Sequence, residues 1–408
     1  MQSLKCNGNR EKRCVLHFLR YAIRGVLFKA KAFQPNIRYA ALILACLFSL
    51  PGCWDLEEVD RRAFATTIGI DTDPSHQIIV TVQVPIPQKM LPSGAGTAAA
   101  EGKNFTTSSI RGQSIANAFR ELQTKTFRRL VIQQNKSVII SEDAATLGLS
   151  ELTDWLSRNP KAPPQALVFI TNGKSAQDIL TFAPAQMVLP GLEFISAGLS
   201  AVKYDRTYFI PIWKFGQRLL YKNQDAYAPL IDIGPKEGNY RITGLAVFNG
   251  DKMAGKLDAI ETQSFGILTG KMSSGGMSFE TTNRKIISLR NVRGRTKIKI
   301  RANTGQYPFF EVKSSVTAIL NERTDQKTNQ SSKDIRELEK HIAQSLKQRL
   351  TAVIAKLQGY NADVIDFGEQ FRIQQQNLWE KTNWKEIFPA VSYQVSVKVS
   401  LQKDGVLR

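Results

Sequence analysis

A twelve-residue apolar run, Tyr39 to Leu50, stops at Pro51-Gly52-Cys53, and no cysteine occurs after that point. A run of this length is too short to span a bilayer, which takes about 20 residues, and suits the apolar region of an export signal. The remaining cysteines, Cys6, Cys14 and Cys46, lie within or before the run. A chain cut ahead of Cys53 therefore carries one cysteine, at its own N-terminus. Such an exported fold cannot be held by internal disulfides and has to draw its stability from a hydrophobic core. The length of 408 residues, 42% hydrophobic and 22% charged, is sufficient for that and predicts two or three domains.

The order Leu50-Pro51-Gly52-Cys53, flanked upstream by Arg38, resembles a bacterial lipobox. The thiol of Cys53 is the nucleophile that takes a diacylglyceryl group before cleavage frees its amine for N-acylation. Acyl chains contribute about 0.8 kcal/mol per buried CH2, so one chain binds marginally and two hold a protein stably. Residues 1–52 are thus expected to be a removed signal peptide with a long basic n-region, and Cys53 the lipidated residue. That leader holds nine Lys/Arg and one acid, so +8 of the formal net charge of +20 leaves with it and +12 remains.

Beyond Cys53 the chain alternates between strand and helix patterns. Ile68–Ile70 and Ile78–Val84 flank an Asp-rich turn and predict a hairpin, while Leu91–Asn104 is a Gly/Ala-rich loop without the Lys-Ser/Thr that a phosphate cradle needs. Helices are predicted at Ser114–Phe127, Thr146–Leu156 and from Ser175, with strands at Ser137–Ile140 and Ala166–Ile170. The aromatic stretch with Tyr204, Tyr208, Trp213, Phe215, Tyr221 and Tyr227 reads as core or interface. Asp232–Tyr240, with two glycines and a proline, is the best candidate for a linker.

After it, strands are predicted at Arg241–Phe248, Lys285–Leu289, Thr296–Arg301 and Phe310–Leu320, with a short helix inside Leu257–Leu268. Lys297, Lys299 and Arg301 alternate with Ile298 and Ile300, giving either a solvated sheet face or one attracted to anionic lipid headgroups. Ile335, Leu338, Ile342, Leu346, Leu350, Val353 and Leu357 form one stripe on the longest helix, Asp334–Leu357. Alternation from Val391 to Leu401 predicts a half-buried antiparallel strand.

Catalysis needs a nucleophile with its base, a positioned carboxylate pair or a metal cluster. The three histidines, His17, His76 and His341, are far apart in sequence; His17 lies in the leader, three residues after Cys14, and neither His76 nor His341 has a His or Cys at ligand spacing. No catalytic, cofactor-binding or metal-binding residue is expected, and the exported location excludes nucleic acid as a partner despite the basic charge.

Cys53-Trp54-Asp55 and Ile68-Gly69-Ile70-Asp71 resemble the Ger(x)C lipoproteins, the C subunits of spore germinant receptors. Gly244–Lys271 is similar to that family's G-x-A-V-F, G-x-L and E-T blocks. Ala362–Pro389 is similar to its D-x-x-x-F-G-E, W and W-x-x-x-F blocks, carried here by Asp363, Phe367, Gly368, Glu369, Trp379, Trp384 and Phe388. The resemblance implies a multi-domain α+β protein with mixed sheets and helices, made of an N-terminal domain (53–237) and a C-terminal domain (238–408) of antiparallel sheet plus one long helix. It further implies a lipid-anchored, non-enzymatic subunit beside integral membrane A and B subunits on the outer face of the spore inner membrane, with a small-molecule germinant met only indirectly. The alternative is a lipoprotein solute-binding component of a transporter.

Overall fold

A computed structural model describes residues 58–89, 103–159, 162–184, 191–234, 238–280, 285–301, 307–323 and 332–402. Cys53, the leader and most of the 91–104 loop lie outside the described residues. In the first half the strands are β1 (Arg62–Phe64), β2 (Thr67–Thr72), β3 (Ile78–Pro85), β4 (Phe105–Gly112), β5 (Arg129–Val131), β6 (Ser137–Ile140), β7 (Leu167–Thr171) and β8 (Tyr227–Ile233). Interleaved with them are α1 (Ile115–Lys125), α2 (Glu142–Leu147), α3 (Ser150–Arg158), α4 (Ala176–Thr181), α5 (Glu193–Lys203) and α6 (Ile212–Leu220). The second half holds β9 (Tyr240–Asn249), β10 (Lys252–Leu257), α7 (Ala259–Leu268), β11 (Gly275–Glu280), β12 (Ile286–Arg301) and β13 (Phe309–Arg323). It closes with α8 (Ser332–Gly359), α9 (Phe367–Gln374), α10 (Gln376–Trp379), α11 (Trp384–Ile387) and β14 (Ser392–Gln402).

Strands buried on both faces read as continuous apolar runs, and β6 and β7 do so because they lie at the centre of an eight-stranded sheet ordered β10-β9-β8-β7-β6-β2-β3-β4. The four middle strands, β2, β6, β7 and β8, are parallel, and each edge is extended antiparallel, through β3 and β4 on one side and β9 and β10 on the other. The predicted hairpin is β2–β3. Period-2 alternation divides the sheet's two faces. Val138, Ile140, Val168 and Ile170 join Leu122, Leu152, Trp155 and Phe215 in the larger core, whereas Ile139 and Phe169 pack under α4 and α5 with Ile179 and Phe194. The single helix expected over 146–156 is two, because Gly148 at φ +130° ends α2. Of the aromatic stretch, Tyr208, Phe215 and Tyr227 are core while Tyr204, Trp213 and Tyr221 are exposed.

The stretch expected as a linker, 232–240, joins two paired strands: Ile233 lies opposite Tyr240 and Ile231 opposite Ile242. β9 and β10 therefore complete the sheet begun in the first half. Residues 262–268 of α7 are all buried, as a helix without a polar face must be. It is packed against β9 on one side and against β12, β13 and α8 on the other. Bulk is excluded at these crossings. A Cβ at Gly266 would collide with the Tyr208 hydroxyl, and one at Gly294 would lie 3.0 Å from Ile267.

The second sheet is ordered β11-β12-β13-β14. Two predicted strands, 285–289 and 296–301, are one sixteen-residue strand, β12. The interruption between them is a bulge at Asn291, which sits at φ 51° where the register against β13 shifts between Arg290 and Arg293. Leu338, Ile342, Leu346, Leu350, Val353 and Leu357 of α8 are buried, and the helix lies against β14. β14 shows the predicted alternation, but it pairs with β13 parallel rather than antiparallel. The reason is α8: at about 1.5 Å per residue its 28 residues run the length of the sheet and return the chain to the end at which β13 began. The C-terminal sheet is accordingly mixed, and the α+β class holds. Beyond the bulge the open edge of β12 is closed by Gln374, whose side chain accepts from Ile300 N at 3.0 Å and donates to Ile298 O at 3.1 Å.

Leu350 is fully buried between α8 and its sheet. Leu350→Ala is expected to lower unfolding free energy by about 2–5 kcal/mol, read from urea denaturation.

Candidate functional site

The sequence blocks that carry the resemblance converge on internal contacts. Gly69 of β2 faces α4, where a Cβ would lie 3.3 Å from the Ala176 Cβ. Two residues on, the Asp71 carboxylate accepts from Ala176 N at 2.6 Å and Gln177 N at 2.9 Å, capping α4 from 105 residues away. Burial pushes the Asp71 carboxyl up, and those two N–H groups draw it down. Asp71 also borders a cleft of about 230 Å³ with Ile70, His76, Ile115, Leu149 and Leu152.

In the Gly244–Lys271 block, Gly244 sits at φ +86° with Leu257 O only 2.5 Å from where a Cβ would be. Asp258 and Glu261 form a reciprocal capping box at the start of α7. Glu261 also pairs with Lys356 of α8 at 2.7 Å.

The densest arrangement is built by Ala362–Pro389 against residues 218–225. Asp363 is buried and accepts from Phe367 N (3.0 Å), Gly368 N (2.6 Å) and Trp384 Nε1 (3.0 Å), so one carboxylate caps α9 and orients the indole of α11. Gly368 is glycine because a Cβ would meet Trp384 Nε1 at 2.5 Å and Asn223 O at 2.6 Å. Asp225, fully buried, is doubly hydrogen-bonded to Asp363: Asp225 N donates to Asp363 O at 2.9 Å, and Asp363 N donates to the Asp225 carboxylate at 2.7 Å. The same carboxylate accepts from Gly250 N at 2.9 Å and from Lys385 Nζ at 2.5 Å.

Arg218, itself buried, donates Nε to Asp225 O at 2.7 Å and pairs through Nη2 with Asp366, which holds a left-handed conformation at φ 64°. Glu369 accepts from Asn223 and takes both Nε and Nη2 of Arg372 at 2.8 Å, a bidentate pair that holds its carboxyl below the usual range. Around this polar staple lies an aromatic cluster. Phe310 stacks on Phe367 at 4.6 Å, and Trp384 contacts Phe310, Phe371, Trp379 and Phe388 at 5.5–6.1 Å.

Asp363, Phe367, Gly368, Glu369, Trp384 and Phe388 are thus brought together, with Trp379 at their rim. Their counterparts Arg218, Asn223, Asp225 and Lys385 are not legible in the sequence, because partners 138 to 160 residues apart leave no local spacing. Cys53, the one site residue expected from sequence, lies outside the described residues. His341 contacts Glu280 O at 3.2 Å, and no group of His, Cys, Asp and Glu among the described residues is arranged to hold a metal ion.

Removing the cation from a buried pair leaves an uncompensated charge. Lys385→Met is therefore expected to cost about 3 kcal/mol in urea denaturation. Burial pushes the Asp363 carboxyl from its ordinary 3.8 up to about 7. Between those values the folded protein binds more protons than the unfolded chain, so this group makes stability fall as pH rises through that window. Denaturation midpoints across it are expected to show that slope, and Asp363→Asn to remove it.

The comparisons with known proteins cover nearly the whole of this framework. The profile of the spore germination protein N-terminal domain matches residues 55–233, and that of the spore germination B3/GerAC-like C-terminal domain matches residues 243–405. The putative spore germination protein YfkR of Bacillus subtilis (strain 168) is 26% identical over 385 residues, covering 90% of this chain and 96% of its own. Spore germination protein KC of the same organism is 26% identical over 400 residues, covering 90% and 95%. Spore germination protein GerQC of Bacillus cereus is 22% identical over 374 residues, covering 90% and 99%. The crystal structure of the GerBC protein superposes with a TM-score of 0.54 at 19% identity, over 85% of this chain and 99% of that one, which establishes the shared fold. None of these relatives is named as a transporter component, so the solute-binding alternative gains no support. With two profiles that together span most of the sequence and a solved structure of the same fold, the chain belongs to the Ger(x)C family of spore germination proteins.

Proposed function

We propose that this protein is the lipid-anchored C subunit of a spore germinant receptor, taking part in nutrient-triggered germination by assembling with integral membrane A and B subunits. The observation that carries the reading is the match of both germination-protein profiles in order along the chain. The anchor is Cys53, S-diacylglycerylated and N-acylated after removal of residues 1–52, and residues 53–237 and 238–408 are the two family domains. No described helix is long and apolar enough to cross a membrane, which is compatible with attachment through an acylated Cys53. The site of action is the outer face of the spore inner membrane.

The proposed role has no chemistry of its own. The blocks that carry the family resemblance make internal contacts, and the protein's contribution is to hold a surface beside its partners. Tethering confines that surface to a plane, where the effective concentration fills an interface too weak to form in solution.

Cys53→Ala is expected to abolish palmitate incorporation, release the protein from spore membranes and impair nutrient germination. Full membrane retention with normal germination in that strain would overturn the anchor. Purification of the wild-type protein from detergent-solubilised spore membranes is expected to bring the two integral subunits with it. Their absence under conditions that keep other membrane complexes intact would overturn the receptor assignment.

A further inference from the structure

The outer face of the four-stranded sheet collects cations that the sequence scatters over more than a hundred residues. Arg293, Arg295, Lys297, Lys299 and Arg301 all project from one side of β12 and are exposed. The register sets Lys297 beside Lys313 of β13, and Ser315, the β13 partner of Arg295, beside Lys398 of β14. Across these five rows the face holds seven cations and one carboxylate, Glu311, which is already paired with Arg301 and with Lys313 at 3.3 Å. Among the described residues, Arg295, Lys297 and Lys299 make no ion pair.

This arrangement is costly in isolation. Alternate residues on a strand are about 7 Å apart, and like charges set directly across a sheet repel. The other positions are Phe309, Ser315, Thr317, Ser392, Gln394, Ser396 and Ser400, neutral groups that relieve none of it. A counter-charge from outside the molecule would. The face is open and roughly 27 by 10 Å from strand geometry. Its only aromatic position, Phe309, is at the last row and half-buried. Protein interfaces draw most of their energy from buried aromatic and apolar anchors, which this face lacks. A planar array of phosphates needs none, and each basic residue near such a surface adds to the attraction.

We propose that this basic sheet face docks on an anionic phospholipid surface. The inference rests on the reading of the chain as a membrane-tethered protein, but it concerns a second contact that works without the lipid. Docking through the face would fix the orientation of the folded unit on the bilayer, which an N-terminal tether alone leaves free.

The folded unit begins at Asp60, so the chain from Trp54 onward retains every described strand and can be used without acylation. Co-sedimentation with vesicles of phosphatidylglycerol and phosphatidylcholine, against phosphatidylcholine alone, is expected to show binding only to the first, weakening as salt is raised. Arg295→Glu, Lys297→Glu and Lys299→Glu together are expected to lower the partition coefficient by on the order of 100-fold. Lys125→Glu, Lys174→Glu and Lys203→Glu, which change net charge equally at exposed positions elsewhere, are expected to change it only a few-fold. Circular dichroism confirms that both triple variants are folded. Equal losses in the two sets, no binding to the anionic vesicles, or equal binding to both lipids would each overturn the proposal. So would capture of the separately purified partner subunits by the wild-type face, lost in the first triple variant, if anionic vesicles are not bound. Because the chain tested carries no acyl group, none of these results depends on Cys53, and a failure of palmitate labelling would leave them standing.

Discussion

Two carboxylates with no access to water, Asp225 and Asp363, fix the way this chain closes on itself. Buried charge is tolerated only when its hydrogen-bonding capacity is met, and here it is met by two segments more than a hundred residues apart. Asp363 is held by the N–H groups of α9 and the Trp384 indole, and Asp225 by Lys385, Gly250 and Asp363 itself. The arrangement cannot be half made. Moving residues 218–225 away from 362–388 would strand two acids, the Arg218 guanidinium and the Lys385 ammonium in apolar surroundings. Many residues of the D-x-x-x-F-G-E block therefore serve architecture: the acid caps, the glycine lets Trp384 and Asn223 close in, and the phenylalanine stacks on Phe310.

A second consequence follows from the pairing of β8 with β9. A protein that closes two domains around a small solute needs a hinge between them, and the stretch expected as a linker, 232–240, lies between strands that are hydrogen-bonded to each other. α7 makes the junction stiffer still, since it is packed against the eight-stranded sheet on one side and the four-stranded sheet on the other, with glycines at the closest approaches. Such a body is suited to presenting a fixed surface to neighbours, and poorly suited to clamping a ligand.

What could be read from sequence was whatever depends on neighbours a few residues away. The α8 stripe, the alternation of β14, the β2–β3 hairpin and the helical spacing of α1 all repeat within one or two turns or strand periods, and all are present. Pairing was less accessible. β14 looks antiparallel by composition, and only the length of α8 decides that it is parallel. β10 and β11 escaped because Gly255, Gly275 and Gly276 dilute their patterns. Asp71 looked like part of a turn, and its role as the cap of α4 depends on a partner more than a hundred residues away. Arg218 and Asp225 carried no signal for the same reason.

The basic sheet face shows where such reading stops. Along β12 the sequence displays only an alternation of cations with apolar residues, which any half-exposed strand with a soluble outer face would also show. Whether it amounts to more depends on what β13 and β14 place alongside it. Acids in those strands would have made a ladder of compensating pairs and an ordinary solvated surface. The register instead supplies Lys313, Lys398 and small hydroxyls, with one glutamate already engaged. A surface that repels itself in this way is stabilised by an anion it does not contain, and under the proposed tether to a bilayer the nearest extended array of anions is the headgroup plane.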